Sequence, residues 1–348
     1  MTNALPHNTH TDHLRLRETV GHYSPGPVAP GALVDIGGLE RSPLLQQALA
    51  RDSSFVEPDT ARDSLLLNDD GSVWDVVTHI ELDDRSLLLS HARPGLARLL
   101  ETVAAEAGLT DVEITDLSRT HAAIAFEGPR SWHIAQEIVP YEISSLVLHG
   151  AVTVALPDAG GVDGVLARIG STGEYGYLLV FPQEAGSAAW VAERARALGG
   201  GSVGPEALDR ARAEVRHPQL GCAEGLSVRE AGFAWLVDWE REDDFRGAAA
   251  LRSAGAPRRG LVLLTAPAGD RPAAGSALRA AGERVGTVHR VAPAPGAATE
   301  LAYGLLDKPF DVPGVPLEGT GADGRTVGLV TVSSPAVLPR SWSERIGI

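Results

Sequence analysis

The sequence predicts an α+β protein that closes in a small antiparallel β-barrel. Three observations lead there. From Ser64 the stretch SLLLNDDGSVWDVVTHIELDDRSLLLSHA alternates apolar runs with the turn signals NDDG and DD, the mark of a three-stranded meander. Residues 96–220 then mix strand-like runs with stretches of helical spacing. Beyond residue 258 the chain breaks into short strands separated by Gly, Pro and Asp, as in a small barrel. At 348 residues the chain exceeds the usual size of a single core, so two or three subdomains share packed interfaces.

In chain order, residues 1–30 are polar and then rich in proline and glycine (SPGPVAPG), which predicts a surface arm. His7, His10 and His13 lie in it; a mobile terminus gives three histidines no fixed geometry, so no metal site is expected there. After the meander, PGLARLLETVAAEAG has apolar residues at helical spacing and stops at glycine. The strand HAAIAF runs through Glu127-Gly128-Pro129 into a further helix. Strands TVALP, GVLARIGS and YGYLLVFP follow, the last two joined by the turn Thr172-Gly173-Glu174. Two helices come next, AGSAAWVAERARALG and EALDRARAEVRHPQL, the second closing before Gly221. The small, proline-containing SAGAPRRG at 253–260 suits a link, and GLVLLT, ERVGTVHRV, ELAYGLL and TVGLVTV are the barrel strands.

Composition removes several function classes. Acidic residues (45) outnumber basic ones (30), for a net charge of −15, which repels a phosphate backbone and argues against nucleic acid. There is no apolar run long enough for a membrane span and no leader-like start, so a cytoplasmic protein is expected. Cys222 is the single cysteine, which excludes an internal disulfide and a cysteine-based zinc site. Lys308 is the single lysine, which leaves one position for Schiff-base chemistry.

Several segments, in order, resemble signatures of the aminomethyltransferase superfamily that includes the T-protein of the glycine cleavage system. LLLNDDGSVWDVV (65–77) resembles its Asn-x-x-Gly-Gly-x-x-Asp-Asp segment, and AIAFEGPRSWHIAQ (123–136) its strand-Gly-Pro-helix unit. GSTGEYGYLLVFP (170–182) resembles its Gly-Tyr-Thr-Gly-Glu-x-Gly hairpin, ALDRARAEV (207–215) its Arg-x-Glu helix, and SVREAGFAWLV (227–237) its Glu-x-x-x-x-Trp segment. The resemblance implies a cloverleaf of three subdomains around a central funnel: two intertwined in a folate-binding-like region over 31–252, and a C-terminal barrel over 258–348. It also implies one-carbon transfer between a small substrate and tetrahydrofolate.

Asp75 matches the family's second aspartate, with Trp74 in place of the first. An acid flanked by Trp74, Val76 and Val77 is partly desolvated, which suits proton exchange. His91, where the family has an asparagine one strand away, is the second candidate catalytic group. Glu174, Tyr175, Arg212 and Glu230 are the candidate cofactor-binding residues of the funnel, and no metal ligands are expected. Glu230 and Trp235 also suit fastening their segment to the barrel.

Two pterin anchors are replaced, a glutamate by Leu178 and an arginine by Leu208. Losing one charge-assisted pair removes roughly 1.5–3 kcal/mol, a factor of about 10 to 100 in affinity. The alternative is a folate-independent enzyme that keeps the funnel and uses Asp75 as general acid or base on a small polar metabolite. The chain's acidity also argues against a lipoyl carrier protein and for a free small molecule.

Overall fold

A computed structural model of the protein describes residues 8–347 except 28, 30, 158, 242, 295 and 297. The chain begins α1 (Thr9–Glu18), β1 (Gly21–Tyr23), β2 (Leu33–Gly37), α2 (Arg41–Ala48), β3 (Thr60–Leu67), β4 (Val73–Glu81), β5 (Ser86–Ser90), α3 (Leu96–Glu106) and β6 (Glu113–Asp116). It continues β7 (His121–Glu127), α4 (Ser131–Gln136), β8 (Ala151–Ala155), β9 (Asp163–Ala167), β10 (Gly176–Pro182), α5 (Ser187–Ala197), β11 (Gly201–Ser202), α6 (Pro205–Glu214), α7 (Leu220–Ala223) and α8 (Ala248–Ser253). The last strands are β12 (Arg259–Pro267), β13 (Ala277–Ala280), β14 (Glu283–Val291), β15 (Thr299–Asp307), β16 (Pro316–Thr320) and β17 (Thr326–Val332).

The meander β3-β4-β5 is extended by β2 and β6 into one sheet, and a second sheet runs β11-β1-β7-β10-β9-β8. Strand alternation gives each sheet two apolar faces. Outward, Val34, Ile36, Val77 and Leu88 pack under Leu44 and Leu45 of α2 and Leu96 and Leu100 of α3. Phe126, Tyr177 and Leu179 of the other sheet pack under Ile134 of α4 and Val191 of α5. Inward, Ala61, Ile80, Leu87 and Leu89 meet Val165, Ala167, Leu178 and Val180, so the sheets stack face to face between helical layers. Each large apolar side chain enclosed this way stabilises by roughly 1.5–3 kcal/mol.

The C-terminal barrel closes in the order β12-β15-β14-β13-β16-β17, with β17 pairing back to β12. Two of its strands escape the sequence reading. β13 is joined to β14 by Ala281-Gly282, with φ of 49° and 85°, a tight left-handed turn made without the Asn-Gly that normally announces it. β16 (PLEGT) carries Pro and Gly, which depress strand propensity. Leu261, Leu263 and Tyr303 of the barrel pack through the 220–251 segment against Leu65, Leu67 and Val76 of the meander.

Residues 9–23 are not a surface arm. Leu16 and Val20 are fully buried, and β1 sits between β7 and β11. The polar composition of α1 is consumed in ion pairs: Arg17 bridges Glu214 (2.7 Å) and Glu174 (3.1 Å), and His13 reaches Glu214 at 3.0 Å. His7 lies outside the described residues. The helix expected to run up to Gly221 stops at Glu214, because Arg216 takes φ of 52°. Among the described residues no helix is long and apolar enough to cross a membrane.

Candidate functional site

The inner faces of β3, β4 and β5 carry the apolar inter-sheet core at one end and the barrel core at the other. Between them the pattern is interrupted. Along β3, Asp63 lies between Ala61 of the inter-sheet core and Leu65 of the barrel core. Along β4, Thr78 lies between Ile80 and Val76 in the same way, and it pairs in register with Asp63. His91, just past β5, follows Leu87 and Leu89. Three polar residues thereby share one inward spot. A small cavity of about 30 Å³ opens there, lined by Asp63, Thr78, His91, Arg212 and His217 on one side and Tyr23, Glu127, Ser171 and Leu178 on the other.

The first cluster is sparsely bonded. Thr78 Oγ1 donates to Asp63 Oδ1 (2.9 Å) and lies 2.8 Å from His91 Nε2. His217 Nε2 stands 4.0 Å from Asp63 Oδ2 and has no hydrogen-bond partner among the described residues. The two imidazoles stack with centroids 6.1 Å apart. His217 is set in place by the end of α6: the left-handed Arg216 turns the chain back, and the His217 amide donates to Arg212 O (2.9 Å). Burial raises the Asp63 carboxyl to about 6, an effect that the Thr78 hydrogen bond and the nearby Arg212 charge only partly offset. Burial, then the Arg212 charge, lowers His91 to about 3, and burial, Arg212 and His91 hold His217 well below the usual histidine range. Both imidazoles are therefore neutral at physiological pH.

The second cluster is saturated. Glu127 Oε2 accepts from Ser171 N and Thr172 N (2.9 Å each) and from Thr172 Oγ1 (2.6 Å), and Oε1 accepts from Ser171 Oγ (2.9 Å) and from the Tyr23 hydroxyl. Burial and the Glu127 charge push the Tyr23 phenol up, so it stays protonated and donates. Arg212 stands between the clusters. Its Nε donates to Ser171 Oγ (3.0 Å) and its guanidinium lies 5.6 Å from the Tyr23 ring centre, while Nη1 and Nη2 have no partner among the described residues.

Of the candidate catalytic and cofactor-binding residues read from sequence, His91 and Arg212 line this cavity, and Asp75, Glu174, Tyr175 and Glu230 do not. Asp75 is fully buried outside it: Oδ2 accepts from Ala92 N (2.9 Å), Arg93 N (2.8 Å) and the Ser90 hydroxyl, and Oδ1 from Val76 N (2.8 Å). It ties down the turn after β5. Glu174 accepts from Arg17, Arg340 N, Ser341 N and Ser341 Oγ, and the Tyr175 hydroxyl donates to Glu344 O, so both anchor the C-terminal segment. Glu230 accepts from Ser227 N (3.1 Å) and from Arg259 Nη2 (2.9 Å), tying its segment to β12. Trp235 is 61 % exposed, whereas Trp239 donates Nε1 to Ala234 O (2.8 Å) within the same segment and packs against the core shared with the barrel. Leu178 forms cavity wall, whereas Leu208 packs against Leu16 and Tyr23 away from it. Asp63 and His217 were not legible as site residues: one sits in an unremarkable strand opening, the other in a polar stretch after a helix.

A model of the family described as GCVT N-terminal domain matches residues 7–241. The chain belongs to the GCVT aminomethyltransferase family. The aminomethyltransferase of Streptomyces coelicolor is 29% identical over 303 residues, covering 84% of this chain and 80% of that protein. That of Methylococcus capsulatus is 30% identical over 264 residues, covering 72% and 69%. The crystal structure of glycine cleavage system aminomethyltransferase T from Bartonella henselae superposes with a TM-score of 0.79 at 22% identity, over 95% of this chain and 90% of that one, so the two share a fold over nearly all of this chain. The stacked sheets and the terminal six-stranded barrel are that fold.

Proposed function

We propose that the protein transfers a one-carbon unit between a free small polar molecule and tetrahydrofolate, in the cavity around Asp63. The observation that carries this reading is the state of Asp63: enclosed, brought close to neutrality in its titration, and bonded through one oxygen alone. A carboxyl of that kind can accept a proton from a nitrogen and return it at physiological pH. Membership of a family whose relatives bear the name aminomethyltransferase supports the reaction class.

The residues present fit the reacting end of a folate. Asp63 and the unpartnered His217 Nε2 are acceptors for N–H groups, and Leu178, Ile169 and Ala125 supply an apolar wall for a flat ring. Tetrahydrofolate, when bound, supplies the nitrogens that carry the one-carbon unit. The chain's own part is to hold and move the proton at Asp63 Oδ2, with Thr78 orienting the carboxylate and the neutral His91 and His217 keeping competing cationic charge away from it. With Nε of Arg212 engaged by Ser171, its Nη1 and Nη2 have no partner among the described residues and can donate to an anionic group. The net charge of −15 supports a free substrate over an acidic carrier protein.

A second reading, a folate-independent enzyme in the same cavity, draws on Leu178, which is packed into the inter-sheet core where a pterin-binding carboxylate is expected. Calorimetric titration with tetrahydrofolate and 5-formyltetrahydrofolate separates the two. Micromolar binding by the wild type is the expected result, tightened roughly tenfold in Leu178→Glu by a restored charge-assisted pair. Absence of binding up to millimolar folate in both proteins leaves the folate-independent reading.

A further inference from the structure

On the basis of one-carbon transfer in the Asp63 cavity, we infer that Glu174 is a positioning residue for that site, through which the C-terminal segment 334–344 sets where Arg212 stands. Arg212 belongs to α6, and the Ser171 that it bonds belongs to the turn between β9 and β10. Among the described residues no main-chain hydrogen bond joins those two elements. The segment that follows the barrel grips both. Ser334 Oγ donates to Val215 O (2.9 Å) and Ala336 N to Glu214 O (2.7 Å), at the end of α6. Farther on, Arg340 N (3.1 Å), Ser341 N (2.9 Å) and Ser341 Oγ (2.6 Å) all donate to the Glu174 carboxylate, and Tyr175 N donates to Ser341 Oγ (2.9 Å).

A second brace meets the first at Glu174. Arg17 donates to Glu174 (3.1 Å) and Thr172 O (2.8 Å) on the turn, and to Ala211 O (3.1 Å) and Glu214 (2.7 Å) on α6. Thr172 and Ala211 adjoin Ser171 and Arg212 in sequence, so this brace acts one residue away from the contact it holds. The turn is closely packed between its neighbours: Gly173 takes φ of 79°, and a Cβ there would lie 2.8 Å from Val215 and 3.2 Å from Pro339. The donors to Glu174 come from α1 and the C-terminal segment and none from the cavity, so its side chain acts on the site through the turn. The consequence is electrostatic. Asp63 is faced by the neutral His91 and His217, by Arg212 and Arg51, which favour its ionised form, and by Glu127, which opposes it. Of these charges, Arg212 is carried by the helix that the braces hold and also bonds the turn. Slackening the turn releases that contact, and the Asp63 carboxyl loses part of the charge that favours its ionised form.

The test follows the Asp63 proton by carboxyl NMR on the full chain with isotope-labelled aspartate, without folate or substrate, the Asp63 signal being the one missing from Asp63→Asn. The wild type is expected to titrate near 6, and Glu174→Gln, which weakens the acceptor that both braces share, about half a pH unit higher. Arg212→Gln should raise the titration by at least as much. Adding Glu174→Gln to Arg212→Gln should raise it no further, because the effect passes through Arg212. Ser341→Ala is expected to move it in the same direction by less, and Ser341→Thr, which keeps the hydroxyl, to titrate as the wild type. Circular dichroism and thermal unfolding establish that the variants are folded; where Glu174→Gln is not, Ser341→Ala carries the comparison. An unshifted Asp63 in the folded variants overturns the proposal, as does an equal further shift in the Arg212→Gln background. Calorimetry of the wild type with tetrahydrofolate keeps the two readings apart. No folate binding with the shift present removes one-carbon transfer and leaves the positioning role; folate binding with no shift removes the positioning role alone.

Discussion

Asp63 on β3 and Asp75 on β4 belong to paired antiparallel strands and are both withdrawn from water, but their surroundings differ in kind. Asp75 receives three backbone N–H groups and the Ser90 hydroxyl, a set that consumes its lone pairs in holding the turn after β5. Asp63 receives one hydroxyl and faces open space. Burial alone therefore does not mark a reactive carboxylate; a buried carboxylate with oxygen left over does.

The largest test of that contrast is kinetic. Asp63→Asn is expected to lower turnover by roughly 10²- to 10⁴-fold, the usual contribution of general acid–base catalysis, whereas Asp75→Asn keeps turnover per folded molecule near the wild-type rate. In a kcat/KM profile from pH 5 to 8 the wild type should show a limb near 6, which Asp63→Asn lacks. A limb abolished by Asp75→Asn instead reverses the two roles.

Stability should move the opposite way. Asp75→Ala leaves buried donors unanswered and is expected to cost about 3 kcal/mol in urea denaturation. For Asp63, the folded value of about 6 lies above the ordinary 3.8, so the folded state holds its proton more tightly than the unfolded chain. The stability this brings is present below about pH 4 and lost as pH rises through about 6, a difference of about 3 kcal/mol. Asp63→Asn should accordingly raise stability at pH 7.5 by up to about that amount and leave it unchanged at pH 3.5. Equal effects at both pH values would show that Asp63 titrates normally.

The smallest effect sharpens the comparison further. Thr78→Val removes the hydrogen bond that favours the ionised form of Asp63, so the limb in the rate profile should shift upward by about one pH unit. No shift would mean that the Thr78 hydroxyl serves His91 alone.

Much of the fold could be read directly. The meander has its alternation and its NDDG turn, α3 its helical spacing and glycine stop, and the family's motifs recur in order along the chain. What escaped had local signals pointing elsewhere. α1 and β1 look like a polar arm because Asp12, Arg15 and Arg17 answer partners far along the chain. The Ala281-Gly282 turn lacks the residue that usually advertises it. At the cavity, His91 and Arg212 are legible through their positions in family motifs, while the same ground points to Asp75, which lies outside the cavity.

By itself, then, the sequence determined the class of fold, the family, the absence of cysteine-based metal or disulfide chemistry within the chain, and two residues of the cavity. Tertiary structure alone decided which carboxylate is free. Asp63, Asp75, Glu127 and Glu174 are chemically equivalent acids in the sequence, and three of them are spent on donors brought from distant segments: Ala92 and Arg93, Ser171 and Thr172, Arg17 and Ser341. A hydrogen-bond acceptor's availability is set by which donors the fold delivers to it, and that is a property of long-range contacts that no local pattern encodes.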